Sequence, residues 1–190
     1  MAESPDFYAL PPDLPAPVDD GAADHLAGMR IPALALPSTL GGAVDLAVAA
    51  AERAVFYCYP RTGTPGEPLP TGWDAIPGAR GCTPEACAFR DHHAELAARG
   101  ARVFGISTQT TAEQQEFAAR AHLPFPLLSD ADLQLARALR LPTFSVDGLT
   151  LHKRLTLIAE GGVIAKVFYP VFPPDRHAAE VVAWLAGRAP

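Results

Sequence analysis

Short apolar runs in this chain alternate with segments in which apolar residues recur every three or four positions. Residues 55–59 form a continuous apolar run ended by Pro60, which predicts a buried strand in a sheet covered on both faces. Residues 103–107 predict a second strand. Between the two runs, Phe89, His93 and Leu96 recur at spacings of four and three residues, which predicts a helix over residues 83–99, stopped by Gly100. Strands that alternate with helices are typical of an α/β layered domain.

The second half of the chain continues this alternation and ends in a hairpin. The remaining predicted elements are a helix over 111–121 capped by Thr110 or Thr111, a short strand over 126–128, and helices over 130–139 and 174–185. Strands over 154–159 and 163–168 flank Glu160-Gly161-Gly162, a pattern typical of a β-hairpin. Since a hairpin is antiparallel, we expect a mixed sheet.

The N-terminal region does not follow this pattern. Five prolines among acidic and small residues predict that residues 1–23 form an irregular extension, followed by a single domain over residues 24–190. With 190 residues and 49% apolar content, one domain of this size can bury a substantial core. Residues 60–81 are rich in glycine and proline and predict a long loop.

Charge and hydropathy exclude several classes of protein. The net charge is −6, from 15 basic and 21 acidic residues, and no basic stripe stands out, so we expect no nucleic-acid partner. No apolar run approaches ~18–20 residues, so we expect no membrane span. The first residues are acidic, and Arg30 is the first basic residue, which does not fit a secretory signal. We therefore expect a cytoplasmic location.

The three cysteines provide the candidate chemistry. An odd number does not suggest a framework of structural disulfides. Cys58 lies in the middle of a predicted strand, where a core role is expected. Cys82 follows Gly81 at a loop-to-helix junction, where free backbone N–H groups and the helix dipole stabilise a thiolate. We therefore expect a lowered pKa for Cys82 and a reactive thiol, the alternative being a buried, inert cysteine.

The spacing between Cys82 and Cys87 limits how the two can pair. Five residues of continuous helix rotate by ~500°, so the side chains point ~140° apart, with Cα atoms roughly 8 Å from each other. A disulfide cannot span that distance unless the first helical turn unwinds. Such a pair suits a transient bond, and the alternative is that Cys87 packs as a small apolar residue.

The segments YPRTGTPG at 59–66 and GCTPEACAFRD at 81–91 resemble the active-site loop of the peroxiredoxins, most closely the bacterioferritin-comigratory or peroxiredoxin Q group. The resemblance extends over about residues 28–184. It implies a thioredoxin-like fold, with helices on both faces of a central mixed sheet, and a thiol peroxidase that needs no cofactor or metal. Such an enzyme reduces hydrogen peroxide or organic hydroperoxides.

The resemblance also implies a role for each cysteine and for a partner. Cys82 would attack the peroxide and become a sulfenic acid, which Cys87 would resolve as a disulfide. A thioredoxin-like dithiol would then reduce that disulfide by exchange. Members of the closest group are commonly monomers, with some dimers, so a monomer or homodimer is expected.

Other catalytic roles follow from the family pattern Pro-x-x-x-Thr-x-x-Cys and from a late arginine. Pro60 and Thr64 match the first part of the pattern, and Arg154 matches the arginine that holds the thiolate and the peroxide oxygens. Glu85 would orient Arg154 or complement the helix dipole. The chain departs from the pattern because 15 additional residues separate Gly66 from Cys82. Thr64 can reach the sulfur only if this insertion loops out and returns.

Three alternatives compete with a peroxidase. A thioredoxin-like thiol–disulfide oxidoreductase would use the same fold position, but it carries C-x-x-C where this chain has C-x-x-x-x-C. A metal or redox-sensing module could use Cys82 and Cys87 with His92 or His93, although no second cysteine pair is present. An inactive binding protein is the third, and Cys82, Glu85 and Arg154 argue against it.

Overall fold

A computed structural model describes residues 8–188 and shows a central sheet with helices on both sides. The strands are β1 (Ala35–Pro37), β2 (Ala43–Asp45), β3 (Arg53–Cys58), β4 (Ala101–Ser107), β5 (Leu127–Ser129), β6 (Thr143–Val146), β7 (Leu149–His152), β8 (Leu155–Glu160) and β9 (Val163–Phe168). The helices are α1 (Leu46–Ala49), α2 (Cys82–Asp91), α3 (His93–Ala98), α4 (Thr111–Arg120), α5 (Gln134–Leu139) and α6 (His177–Ala186), with 3₁₀ turns at Trp73–Ala75 and Pro174–Arg176.

The central sheet has five strands in the order β5-β4-β3-β8-β9. Strands β3, β4 and β5 run parallel, whereas β8 pairs antiparallel with both β3 and β9. The mixed α/β sheet predicted from the sequence is therefore confirmed. Within residues 8–188, no helix combines the length and the apolar character needed to cross a membrane.

The continuous apolar run of β3 divides the core into two layers, because successive side chains point to opposite faces. Phe56 and Cys58 pack with α1 and α5 on one face. Tyr57 and Tyr59 pack with α2, α3, α4 and α6 on the other. The end of β3 and the start of α2 consequently lie in the same layer, which is what positions the site described below.

Several element boundaries differ from the prediction for local reasons. The helix predicted over 83–99 is two helices, because His92 leaves helical geometry (φ −93°, ψ 3°) between α2 and α3. Helix α5 begins four residues later than predicted, since the Asp130 carboxylate instead accepts hydrogen bonds from N–H groups of its first turn. At α4, Thr110 is the cap, and it forms a reciprocal capping box with Glu113.

Two hairpins were not predicted from the pattern. They are β1–β2 and β6–β7, whose strands are only three or four residues long. Residues 8–23 of the predicted extension contain no helix or strand, and residues 1–7 lie outside the described residues. These short elements matter because β6–β7 carries the contacts of the long loop.

The loop segment 67–81, which the sequence marks as an insertion, is ordered against the β6–β7 hairpin. Trp73 is only 4% exposed and packs against the ring of Phe144, with ring centroids 6.2 Å apart. The backbone N–H of Thr71 donates to the Asp147 carboxylate at 2.8 Å. The segment is thus fixed both by an apolar contact and by a hydrogen bond at the tip of the hairpin.

Candidate active site

Three parts of the chain meet at one end of the central sheet. β3 ends at Cys58 and leads into the loop that contains Pro60, which is buried. Leu155 pairs with Cys58 across β3 and β8, so Arg154 lies just beyond the same end of the sheet. Helix α2 begins at Cys82 against these two strands. Sheet register therefore brings Arg154 to the first turn of α2.

The sulfur of Cys82 is held between a cation and a carbonyl group. Arg154 Nη2 donates to Cys82 Sγ at 3.1 Å. The thiol in turn lies 3.6 Å from the carbonyl oxygen of Ala79, to which it can donate. Cys82 is 4% exposed and Arg154 is 3% exposed, so the contact lies almost entirely out of water. The structure thus brings together the two residues whose types suit peroxide chemistry.

Arg154 is fixed from two further directions. Its Nη1 forms an ion pair with the fully buried carboxylate of Glu85, in the first turn of α2. Its Nη2 also donates to the carbonyl oxygens of Ala79 (3.3 Å) and Arg80 (3.2 Å). The 67–81 segment therefore contributes directly to the site, because its last residues hold the guanidinium beside the sulfur.

The pKa of the Cys82 thiol differs from the sequence-based expectation. Burial raises the pKa of the Cys82 thiol above its ordinary value. Arg154 acts in the opposite direction, as does a backbone hydrogen bond from Arg61, whereas the Glu85 carboxylate adds to the rise. The expected lowering of the pKa is therefore wrong for this closed arrangement, because desolvation outweighs the helix end and the guanidinium.

Glu85 is similarly affected by its burial. Loss of water raises the pKa of its carboxyl to about 7, against the opposing charge of Arg154. Among the described residues, neither Glu85 Oε1 nor Arg154 Nε has a hydrogen-bond partner. The ion pair with Arg154 is therefore the contact that compensates the burial of the Glu85 carboxylate.

A small cavity is lined by Cys82 and by a threonine, Thr62, that the sequence did not single out. Thr62 is part of the lining, whereas Thr64 is not; the carbonyl oxygen of Thr64 accepts the N–H of Glu67 at 3.1 Å. Gln109 fixes Thr62 by accepting its N–H at 2.8 Å and donating to its carbonyl oxygen at 3.3 Å. Gln109 follows the strand motif Gly105-Ile106-Ser107, but no local pattern pointed to this contact.

The other two cysteines occupy different environments. All three thiols are free. Cys87 lies further along the continuous helix α2 and is half-buried, and burial raises the pKa of its thiol against the charge of Arg90. Cys58 is fully buried in β3, and burial raises its pKa strongly. The structure therefore keeps Cys82 and Cys87 on one helix that must open before they can bond.

Gly81 allows the backbone to enter α2 directly at Cys82. Its φ is +103°, and a Cβ atom there would lie 2.4 Å from Pro174 Cγ and 2.8 Å from Leu10 Cδ2. We expect Gly81→Ala to lower the free energy of unfolding by about 2–5 kcal/mol, since left-handed strain and overpacking add. Urea unfolding monitored by circular dichroism measures this loss.

Gly72→Ala is the matched control for this substitution. Gly72 also has a positive φ (+69°), but a Cβ atom there meets nothing within 4 Å. It should therefore cost only the backbone strain of about 1–2 kcal/mol. Equal losses in the two variants would contradict the tight packing of Gly81 between Pro174 and Leu10.

The metal alternative finds no support in the part of the chain that the structure describes. Across residues 8–188, no group of three or more His, Cys, Asp or Glu side chains is arranged to hold a metal ion. His92 instead contacts Glu95 one helical turn away, and the ring of His93 packs against Phe125.

Comparisons with known proteins identify the family to which this chain belongs. The Redoxin family matches residues 26–183. A putative peroxiredoxin bcp from Coxiella burnetii is 32% identical over 162 residues, covering 83% of this chain and 97% of the relative. A chloroplastic peroxiredoxin Q from Oryza sativa subsp. japonica is 30% identical over 158 residues, and the match covers 83% of this chain and 65% of that protein.

A solved structure gives the same result for the fold. The crystal structure of peroxidoxin BcpB from Mycobacterium tuberculosis superposes with a TM-score of 0.70 at 29% identity, covering 86% of this chain and 98% of that one. The thioredoxin-like fold implied by the sequence is thereby confirmed. The chain belongs to the redoxin family, within its bacterioferritin-comigratory and Q-type peroxiredoxins, which are thiol peroxidases.

Proposed function

We propose that Cys82 is the peroxidatic cysteine and that Cys87 resolves it. The observation that carries this assignment is the 3.1 Å contact between Cys82 Sγ and Arg154 at the edge of a cavity. A buried guanidinium stabilises the thiolate and, after attack, the negative charge on the leaving oxygen. Among residues 8–188, no guanidinium is recorded in contact with Cys58, which is enclosed within the sheet.

The first step transfers one oxygen atom to sulfur. The Cys82 thiolate attacks one oxygen of ROOH, the O–O bond breaks, and the departing RO⁻ takes up a proton to leave as ROH. Cys82 becomes a sulfenic acid. Arg154 and the backbone N–H of Arg61, which both lower the pKa of Cys82, stabilise the charge that develops.

The second step forms a disulfide within the chain. The first turn of α2 unwinds, and the Cys87 thiolate attacks the Cys82 sulfur, expelling hydroxide that leaves as water. An external dithiol then attacks the disulfide, returns both cysteines to thiols and is itself oxidised. A thioredoxin-like protein in the cytoplasm fits this last step, acting on the enzyme as a monomer or homodimer.

Two residues support this site without contacting the peroxide, and a threonine contacts it. Glu85 positions Arg154, and buried Pro60 shapes the loop that follows β3. The resemblance assigned the threonine contact with the peroxide to Thr64. Because Thr62 lines the cavity, we assign that contact to Thr62 instead, as a hydrogen-bond acceptor, since its hydroxyl already donates to Gln109 Oε1 at 3.1 Å.

A stoichiometric oxidation tests this function. One equivalent of hydrogen peroxide added to the fully reduced protein should lower its mass by 2 Da, and peptide mapping should place the disulfide between Cys82 and Cys87. Trapping with dimedone during the reaction should label Cys82 alone. A disulfide that includes Cys58, or no oxidation under these conditions, would refute the assignment.

A further inference from the structure

The cavity lined by Cys82 is very small, which bears on the peroxide that the enzyme accepts. Its volume is about 20 Å³. One water molecule needs roughly 10–15 Å³. The cavity therefore has room for little more than one water-sized group, although a larger one could enter if a wall moved.

The 67–81 segment forms one wall of this cavity. Leu69, Trp73 and Arg80 of this segment line the cavity together with residues 61–63 of the preceding loop. The indole of Trp73 is the largest of these groups and is almost entirely buried. Access to the sulfur thus depends on a segment that the family pattern Pro-x-x-x-Thr-x-x-Cys does not contain.

This wall is anchored along its length. Trp73 and Ala79 pack in one small cluster with Leu151 of β7, and half-buried Leu69 and Ile76 pack against that cluster. Arg80 forms an ion pair with Asp74 at 3.1 Å inside the segment. Together with the bonds from Thr71 to the hairpin and from the segment's last carbonyls to Arg154, these contacts oppose outward movement.

A larger cavity on the other side of the segment does not relieve this restriction. It has a volume of about 320 Å³ and a mainly apolar lining that includes Ile76, Phe144 and Arg154. Cys82 is not part of its lining. We therefore do not expect that cavity to present a bulky hydroperoxide directly to the sulfur.

We propose that the 67–81 segment makes this enzyme selective for hydrogen peroxide and hydroperoxides of similar size, with Trp73 as the residue that excludes branched and aromatic ones. The inference rests on the proposed function of Cys82 and adds its substrate class. Trp73 and Cys82 line the same small cavity, so we expect the indole to clash with a tertiary carbon attached to the peroxide, whereas HOOH carries only a hydrogen atom in its place.

Rates of Cys82 oxidation by three peroxides test the proposal. Reduced protein is mixed with hydrogen peroxide, tert-butyl hydroperoxide or cumene hydroperoxide, quenched at short times, and the oxidised fraction is read by mass spectrometry. We expect hydrogen peroxide to react faster than cumene hydroperoxide by on the order of 100-fold, and Trp73→Ala to reduce that ratio by about tenfold or more. The gain should come mainly from faster reaction with the bulky peroxide.

Ile76→Ala is the matched control. Ile76 lies in the same segment and packs against the same cluster, but it does not line the cavity at Cys82. It should leave the ratio of rates unchanged. If Trp73→Ala fails to fold, Leu69→Ala tests the same wall, since Leu69 also lines the cavity and is half-buried.

The possible results separate the two proposals. If no peroxide oxidises Cys82, the proposed function fails. If the wild-type protein reacts with all three at similar rates, the function stands and the size selection is wrong. An unchanged ratio in a folded Trp73→Ala protein, or an equal change in Ile76→Ala, would show that Trp73 does not set the selection.

Discussion

Cys82→Ser should abolish peroxide turnover, whereas Cys87→Ser should retain a single oxidation per chain and lose recycling. A serine hydroxyl at the start of α2 is not ionised near neutral pH and cannot attack the O–O bond. Without Cys87, the sulfenic acid forms but finds no partner within the chain. Hydrogen peroxide consumption with a thioredoxin system is measured for the wild type and for both variants. We expect steady turnover only in the wild type.

Cys58→Ala is the control for these substitutions. It removes a thiol from the core beneath β3, on the sheet face opposite α2, and should keep wild-type turnover once folded. A contradictory result would be a wild-type protein that consumes no peroxide yet catalyses disulfide exchange. The thiol–disulfide oxidoreductase interpretation would then replace the peroxidase.

Arg154→Gln should slow the oxidation of Cys82 by about 10²–10³-fold at pH 7, the loss typical of a removed charge-stabilising donor. Arg154 lowers the pKa of Cys82 against the effect of burial, so without it the pKa rises further. The thiolate fraction at pH 7 falls, and the rate should recover in part as the pH is raised. Rapid-quench rates between pH 6 and pH 9 measure both effects.

A double variant separates this effect from misfolding. Loss of Arg154 alone leaves Glu85 buried without its ion-pair partner, which costs about 3–5 kcal/mol when one member of a buried pair is removed. Arg154→Gln with Glu85→Gln should regain much of that stability without regaining the rate. Recovery of both together would show that Arg154 acts on the fold and not on the sulfur.

The elements that the sequence predicted correctly are those encoded by their own residues. β3 has an unbroken apolar run, α4 has a capping Thr110, and the β8–β9 hairpin has two glycines at its turn. Arg154 was found through its resemblance to a family position. Its contact with Cys82 follows from the register of β8 on β3, which no local pattern contains.

The features that sequence reasoning missed depend on tertiary contacts. Thr62 lines the cavity at Cys82, and Gln109, 47 positions away in the chain, fixes its backbone, whereas the role of Thr64 stays a prediction. The raised pKa of Cys82 follows from how completely the 67–81 segment and α2 bury the thiol. A position at the start of a helix indicates that a negative charge is favoured there. It does not indicate how far the folded chain removes water from the thiol, and that loss raises the pKa.

The burial of Cys58 supplies an internal standard for following the redox cycle. Its thiol is enclosed in the middle of a five-stranded sheet and stays protonated, because burial raises its pKa far above neutrality. After denaturation, the reduced enzyme therefore carries three titratable thiols, and an enzyme oxidised to the proposed Cys82–Cys87 disulfide should carry one. The number of thiols per chain then reports directly what fraction of the molecules is oxidised, without reference to any absorbance or coupled assay.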